Sequence, residues 1–395
     1  MASRWDAAER HAKEALELAP DHPAALLIAG QAASRLKRDS DAIHHFQSVT
    51  ETRDAARVEA AFWAGKRLMQ TGRASQAEEY FRLALKHDPS HLQSNSFLAE
   101  LLQHQGRSWE SLPFLRRELL EGHVAKSHII MLGALDTAFS EDYQFVENCL
   151  VADPSHRLVL LGRARMDLAN SKLDRAEAQL RDILATHPES VEAQARLGTI
   201  LLNGSTDDSF LEWQQNLPPN AENHPEIWHL RGQWARRNGQ LRAATRCSLE
   251  ALSLDPNHGG ATFQLSQLLH LEGHEEVAES LARRSQKLSQ LRYLLMELRF
   301  SYDVEMVRKT VDLLDELGRP LEAAGWCWIL QQWNSGHERW AANRLRELHD
   351  RLPDDGSLTL AAGRLTADID RRAYPLPDYE LVAKTEVDRE IAGVE

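Results

Sequence analysis

Small and apolar residues recur at helical spacing along most of the chain, most clearly between residues 225 and 256. That stretch reads PEIWHLRGQWARRNGQLRAATRCSLEALSLDP, with Trp228 and Gly232 on one face of a first predicted helix. Gly239 separates this helix from a second one, which Pro256 ends. A helix pair of this size cannot bury its apolar face alone, so the pattern predicts further copies on either side.

The copies are found by aligning segments on the closing proline. In three of them a glycine lies 17 residues before that proline: Gly72 and Pro89, Gly239 and Pro256, and Gly336 and Pro353. A further regular pair is predicted to end at Pro188. Other pairs, several of them less regular, are predicted over residues 21–54, 92–123, 126–154, 191–222, 259–286 and 289–319. In residues 289–319 the two helices are expected to join near Ser301–Asp303 and to end at Gly318. The pattern predicts an all-α solenoid of about ten antiparallel helix pairs.

The two ends of the chain follow different patterns. Residues 4–19 resemble the second helix of a pair whose first helix is missing, so the chain is expected to begin late in a repeat, with any leader upstream of Met1. Ser357–Arg371 is predicted as a capping helix. The solenoid is expected to span residues 1–372, and residues 373–395 to form an extended linker and an acidic tail.

Composition narrows the classes of partner. The net charge is −13, whereas phosphate binding needs clustered Lys and Arg, so nucleic acid is not expected as the main partner. Three cysteines without a CxxC pair favour a reducing compartment, and we expect the cytoplasm. No stretch has the length of an apolar membrane span, so no membrane insertion is expected.

Motifs for catalysis or metal binding are incomplete in the sequence. His274-Glu275 and His337-Glu338 begin like the zinc motif HExxH, but alanine stands at the second ligand position in both. His270 and His274 are four residues apart, with Gly273 expected to break the helix between them. Phosphate-binding, dinucleotide-binding and nucleophile-elbow motifs are also missing. We therefore expect no enzyme activity, no metal and no cofactor.

The recurring pattern resembles the tetratricopeptide repeat, W-x2-L-G-x2-Y…A-x3-F…A…P. Two copies carry the resemblance: Trp228, Gly232, Ala244, Ala251 and Pro256 in one, and Gly65, Ala77, Phe81, Ala84 and Pro89 in the other. The first copy departs from the pattern at Arg231, where Leu is usual, and at Ser248, where Phe is usual. The resemblance extends over about residues 4–353. It implies a right-handed superhelix in which the first helix of each pair lines a concave groove for an extended peptide or a partner helix.

The register of the first helices selects candidate groove residues. The competing interpretation is that these residues are ordinary solvent-exposed helix surface. They are Phe62, Lys66, Met69, Glu100, Gln103, His229, Gln233, Arg236, Phe263, Gln267 and His270. Chaperone-binding members of the family hold a terminal carboxylate with Lys and Asn on successive first helices. Here the matching positions are Leu27 and Gln31, then Phe62 and Lys66, so that clamp is missing.

Four tryptophans lie close together in the last predicted pair, at positions 326, 328, 333 and 340. Such a cluster can be a binding hot spot, but it is more often core. Trp328 and Trp340 fall at packing positions, so Trp326 or Trp333 is expected to be the more exposed member.

The sequence as a whole favours a non-enzymatic scaffold that binds a protein or peptide in its concave groove. Its acidic balance favours a partner segment that is basic or of mixed charge. One alternative is the helical docking half of a larger protein, as in bacterial proteins whose repeats precede an FG-GAP-type propeller. A second alternative is an RNA-binding helical repeat, which the excess of acidic residues disfavours.

Overall fold

The computed structural model describes residues 2–50, 55–135, 140–154, 156, 158–204, 207–333, 336–352, 366–367 and 369–380. Within these ranges the regular structure is entirely helical, with twenty α-helices, two short 3-10 helices and no strand. The prediction of an all-α chain of stacked helices is therefore confirmed. The helices fall into two compact units, residues 1–123 with 135–172, and residues 124–134 with 173–395.

Unit 1 is a stack of successive antiparallel helices. It contains α1 (Ala2–Leu18), α2 (Pro23–Arg35), α3 (Asp39–Thr50), α4 (Ala56–Gln70), α5 (Ala74–His87), α6 (Leu92–His104), α7 (Ser108–Leu120), α9 (Ser140–Ala152) and α10 (Val159–Ala169). From α1 to α7 each helix packs on the next, while α9 packs on α6 and α10.

Unit 2 holds the other helices. They are α8 (Lys126–Gly133), α11 (Leu173–Thr186), α12 (Val191–Leu202), α13 (Asp207–Gln215), α14 (Pro225–Arg237), α15 (Leu241–Leu254), α16 (Gly259–Leu271), α17 (Glu275–Phe300), α18 (Val304–Glu316), α19 (Pro320–Gln332) and α20 (Glu338–His349), with 3-10 helices at Pro219–Asn223 and Arg371–Ala373. From α14 to α20 each helix packs on the next.

A small residue on the first helix of a pair allows close contact with an aromatic ring on the second. A Cβ added at Gly30 would lie 2.5 Å from Phe46, and one added at Gly65 would lie 2.8 Å from Phe81. Both rings are fully buried. In the 225–256 pair, Ser248 takes the aromatic position, and its buried hydroxyl donates to the Ala244 carbonyl oxygen at 3.0 Å.

The predicted glycine turns agree with the structure where it describes them, but the boundary predicted between residues 286 and 289 is wrong, because α17 runs unbroken from Glu275 to Phe300. Gly72, Gly239 and Gly336 have φ angles of 73–78°, in the left-handed region that glycine tolerates best. The predicted break at 301–303 separates α17 from α18, and Gly318 follows α18 as expected. Most of the predicted capping helix lies outside the described residues.

One predicted helix pair, residues 126–154, is wrong. Its helices α8 and α9 belong to different units, because α8 packs on α17 and α19 instead. Most of this eight-residue helix is apolar, and Ile129–Leu132 are buried. A helix with apolar residues on several faces needs cover on more than one side, which a single partner helix does not provide.

Candidate functional site

The clearest concave site formed by predicted groove residues lies between α14 and α16 in unit 2. It encloses about 470 Å³. We define the α14–α16 pocket by the residues that line it: His229, Gln233, Arg236, Arg237, Gly260, Phe263 and Gln264. Spacings of three and four residues put 229, 233 and 236 on one face of α14.

A histidine cap determines where α16 begins. The His258 Nδ1 atom accepts the Ala261 N–H at 3.1 Å, which satisfies one of the free donors of the first turn. Since Nδ1 accepts, the ring proton is on Nε2, which donates to Glu226 Oε2 at 2.8 Å. This pair joins the first turn of α16 to the first turn of α14, and it lowers the pKa of the Glu226 carboxyl against the opposing effect of burial.

His229 forms the buried base of the pocket. Its ring centroid lies 4.8 Å from that of His258, and its Nε2 atom lies 3.0 Å from Gln233 Nε2. Gly260 leaves room for the ring, because a Cβ there would lie 2.6 Å from His229 Nε2. Burial, followed by repulsion from His258, lowers the pKa of His229 to about 4. The imidazole is therefore neutral at pH 7.

The rim of the pocket carries both cationic and aromatic groups. Arg236 is exposed and donates to Gln267 Oε1 at 2.5 Å. Arg237 donates to the Leu202 carbonyl oxygen at 2.6 Å. The side chain of Phe263 is 52% exposed, although most apolar residues around it on α16 are buried. The pocket thus combines the accessible Phe263 ring and the accessible Arg236 guanidinium group at its rim with the uncharged His229 imidazole at its bottom.

The two remaining unit 2 candidates do not line the pocket. Gln267 lies next to it through its bond with Arg236. His270 is exposed near the end of α16, and its Nδ1 atom lies 2.8 Å from Glu275 Oε2. Gly273, with φ of 83°, separates α16 from α17, so His270 and His274 are on different sides of a turn.

The candidates on α4 in unit 1 lie in or near the core. Phe62 is buried, and Met69 packs against the same apolar cluster. Lys66 Nζ lies 5.0 Å from the ring centroids of both Trp63 and Phe97, so neighbouring rings already hold its charge.

The side chains of the two candidates on α6 also contact neighbouring residues of the protein. Gln103 is buried and donates to Ser111 Oγ at 2.8 Å. Glu100 is half-buried, with Oε1 at 3.5 Å from His104 Nε2. Consequently Phe62 and Gln103 present no accessible side chain to a ligand in this structure.

The tryptophan cluster is divided between core and partly covered positions. Trp326 is fully buried, so the expectation that it could be an exposed member is wrong. The other three are half-buried. Trp333 stacks edge-on with Tyr302 at 4.6 Å, and Arg308 lies 4.9 Å from the Trp340 ring.

Sequence reasoning missed Arg237, Gly260, Gln264 and the supporting His258. A signal for the last was available: Asp-Pro-x-His occurs at residues 88–91, 153–156 and 255–258. In His91 and His258, the Nδ1 atom accepts a backbone N–H at the start of a first helix. Each Nε2 atom also faces a glutamate 32 residues earlier, Glu59 or Glu226.

The described part of the chain also bears on metal binding and membrane insertion. Among these residues, no three His, Cys, Asp or Glu side chains are grouped in a way that could hold a metal ion. None of the described helices combines the length and the apolar character needed to cross a membrane.

Comparisons with known proteins identify the repeat. Residues 2–57, 64–122 and 161–225 match the family model described as tetratricopeptide repeat. This confirms the resemblance that the spacing of Gly, Ala, Phe and Pro indicated. In the comparison with curated protein sequences, none matched this chain.

Three of the solved structures that match this chain share 13% sequence identity with it. A tetratricopeptide repeat protein from Parabacteroides merdae covers 62% of this chain and 98% of its own, with a TM-score of 0.32. Yeast Tom70 covers 88% of both chains at 0.30. The APC/C hetero-tetramer Cut9-Hcn1 covers 83% of this chain and 71% of its own at 0.34.

Proposed function

Since residues 2–57, 64–122 and 161–225 of this chain are tetratricopeptide repeats, we propose that it is a non-enzymatic scaffold whose α14–α16 pocket holds an extended peptide or a helix of a partner protein. Such repeats serve in general as scaffolds for protein–protein interaction. Use of this particular pocket is our proposal, and it concerns unit 2 alone.

Phe263 is the observation that carries the proposal. A large apolar side chain with half of its surface in water is costly, and an aromatic ring beside an arginine is the composition typical of interface hot spots. Arg236 supplies that neighbour from α14. A partner that covered the Phe263 ring would regain the free energy of burying it.

The charges near the pocket favour a partner with a carboxylate. Arg236 and Arg237 are permanently cationic, while His229 is neutral at pH 7 because burial lowers its pKa. The net charge of −13 led us to expect a basic or mixed partner segment. At physiological salt, however, charges within about 8 Å dominate, so the local arginines decide what enters this pocket.

The proposal is tested with the double variant Arg236→Glu, Phe263→Ala. The parent and variant chains are immobilised and exposed to lysate, the captured protein is identified, and its dissociation constant is measured with purified components. Loss of the aromatic anchor together with reversal of the charge is expected to weaken binding at least 100-fold, about 3 kcal/mol.

A matched control makes the same chemical changes away from the pocket. Arg283 and Tyr293 on α17 are both well exposed, so Arg283→Glu, Tyr293→Ala alters charge and aromatic surface equally. This control is expected to bind like the parent. Equal weakening by both double variants, or none by the pocket variant, would place the contact elsewhere on the chain.

We further propose a reducing, cytoplasmic compartment and a partner other than nucleic acid. Cys149, Cys247 and Cys327 are free thiols, and burial raises the pKa of each to about 12. They are therefore protonated and unreactive at neutral pH. Recovery of the chain from an oxidising compartment after cell fractionation would contradict this assignment.

A further inference from the structure

Residues 369–380, which we call the C-terminal segment, lie along α15 in unit 2. Apart from the 3-10 turn Arg371–Ala373, the segment has no regular structure of its own. Its sequence from residue 374 is YPLPDY. Although this stretch was predicted only as an extended linker, two aromatic anchors and five hydrogen bonds to its backbone attach it to the helices.

Tyr374 is the first anchor. Its side chain is 91% removed from water and packs in the cluster that includes Leu249 and Leu252 of α15. Its hydroxyl donates to Glu272 Oε2 at 2.9 Å, and the Arg242 guanidinium lies 5.2 Å from its ring. Burial and this hydrogen bond raise the pKa of Tyr374 to about 12. The anchor is both buried and bonded at its polar end.

Tyr379 is the second anchor, five residues further on. Its ring centroid lies 4.9 Å from that of Trp234, which is fully buried in α14. Between the anchors, Leu376 is 56% exposed. The segment therefore contacts the helices through a tyrosine near each end, while the leucine between them faces solvent.

The segment's backbone is held by side chains of the helices. Arg242 donates to the Ala373 carbonyl oxygen at 3.0 Å. Arg246 donates to the carbonyl oxygens of Arg371 and Tyr374 at 3.1 and 3.2 Å. Gln240 both donates to the Asp378 carbonyl oxygen at 2.7 Å and accepts the Asp378 N–H at 2.8 Å.

This pattern of contacts is that of peptide recognition. Backbone groups give affinity that does not depend on side-chain identity, and pockets for the two tyrosines give specificity. Pro375 and Pro377 limit the unbound segment to extended conformations, which reduces the entropy lost on binding.

We propose that Trp234, Gln240, Arg242, Arg246 and Glu272 form a second peptide-binding site, which the chain's own C-terminal segment occupies. An extended partner segment with two tyrosines, five residues apart and separated by prolines, competes for this site. A tethered segment has an effective concentration on the order of millimolar, so the resident segment keeps weak competitors out. The site is separate from the α14–α16 pocket.

The test uses the full chain and a fluorescent peptide of residues 369–380. Tyr374→Ala, Tyr379→Ala removes both anchors of the resident segment while the site on the helices is kept. Fluorescence anisotropy is expected to show the peptide binding this variant at least tenfold more tightly than the parent. Leu376→Ala is the matched control within the same segment and should bind like the parent.

A second measurement, the melting temperature with and without peptide, tests the proposal even if the double variant is less stable than the parent. The peptide should raise the variant's melting temperature, because a ligand that binds only the folded state stabilises it, whereas the parent's should stay unchanged. Adding Gln240→Ala and Arg246→Ala should weaken peptide binding at least tenfold, while Arg236→Glu, Phe263→Ala should not. The proposal would be overturned if the folded double variant did not bind the peptide, or if the parent bound it equally well.

Discussion

At the scale of single residues, several of the described turns between successive helices have one backbone position with a positive φ, and the residue there is not always glycine. Lys37 holds it at 61° between α2 and α3, and Ser171 at 58° after α10. A residue with a Cβ is strained in this region by about 1 to 2 kcal/mol. The repeat therefore keeps its turn geometry even where the sequence lacks the favourable residue.

Lys37→Gly should stabilise unit 1 by about 1 kcal/mol, because it removes this strain at some cost in unfolded-state entropy. Gly239→Lys should destabilise unit 2 by a similar amount, since no atom lies within 4 Å of a Cβ there and only backbone strain changes. Urea unfolding of each variant beside the parent measures both shifts. Shifts of the same sign would contradict this account.

His229 should make the stability of unit 2 depend on pH. Burial lowers its pKa from 6.5 to about 4, with His258 and Glu226 as its titratable neighbours. Between these values the unfolded chain binds the extra proton, so stability is complete above about pH 6.5 and is lost as the pH falls towards 4.

His229→Gln removes this titration, and its stability should change less over that pH range than that of the parent. The difference between the two curves should reach at most about 3 kcal/mol. Chemical unfolding at pH 7, 5.5 and 4 measures it. Parallel curves for parent and variant would show that His229 titrates normally.

At the scale of elements, α8 depends on long-range contacts. Lys126 Nζ donates to the carbonyl oxygens of Leu298 and Ser301 at 2.9 and 3.1 Å, at the end of α17, and lies 3.9 Å from the Tyr302 ring. Arg319 donates to the Leu132 carbonyl oxygen at the other end of α8. Both ends of this short helix are thus held by residues far away in sequence.

Gly133→Ala should loosen α8, because a Cβ there would overlap Leu295 Cδ1 on α17. We expect a loss of about 1 to 3 kcal/mol, typical of overpacking. Gly259→Ala is the matched control, since nothing lies within 4 Å of its added Cβ. Thermal unfolding that ranks the two variants in the opposite order would argue against tight contact at α8.

At the scale of the whole chain, the sequence predicts those features of the structure that depend on short-range patterns of residues. Turns such as Gly239 follow from short-range rules, and the pocket faces of α14 and α16 follow from helix periodicity. The burial of Gln103 could not be predicted this way, because it depends on a hydroxyl of the following helix. The position of α8 and the attachment of Tyr374 depend on contacts more than 100 residues away, which periodicity does not encode.

The path of the chain through α8 also affects its synthesis. Lys126 and its acceptor Leu298 are 172 residues apart. A ribosome adding about 5 to 20 residues per second takes roughly 9 to 34 s to make the second after the first. During that interval Ile129 and Ile130 have been synthesised but the helix that buries them has not. A chain stalled before α17 is complete would therefore expose an uncovered apolar helix, a natural target for chaperones and for quality-control proteases.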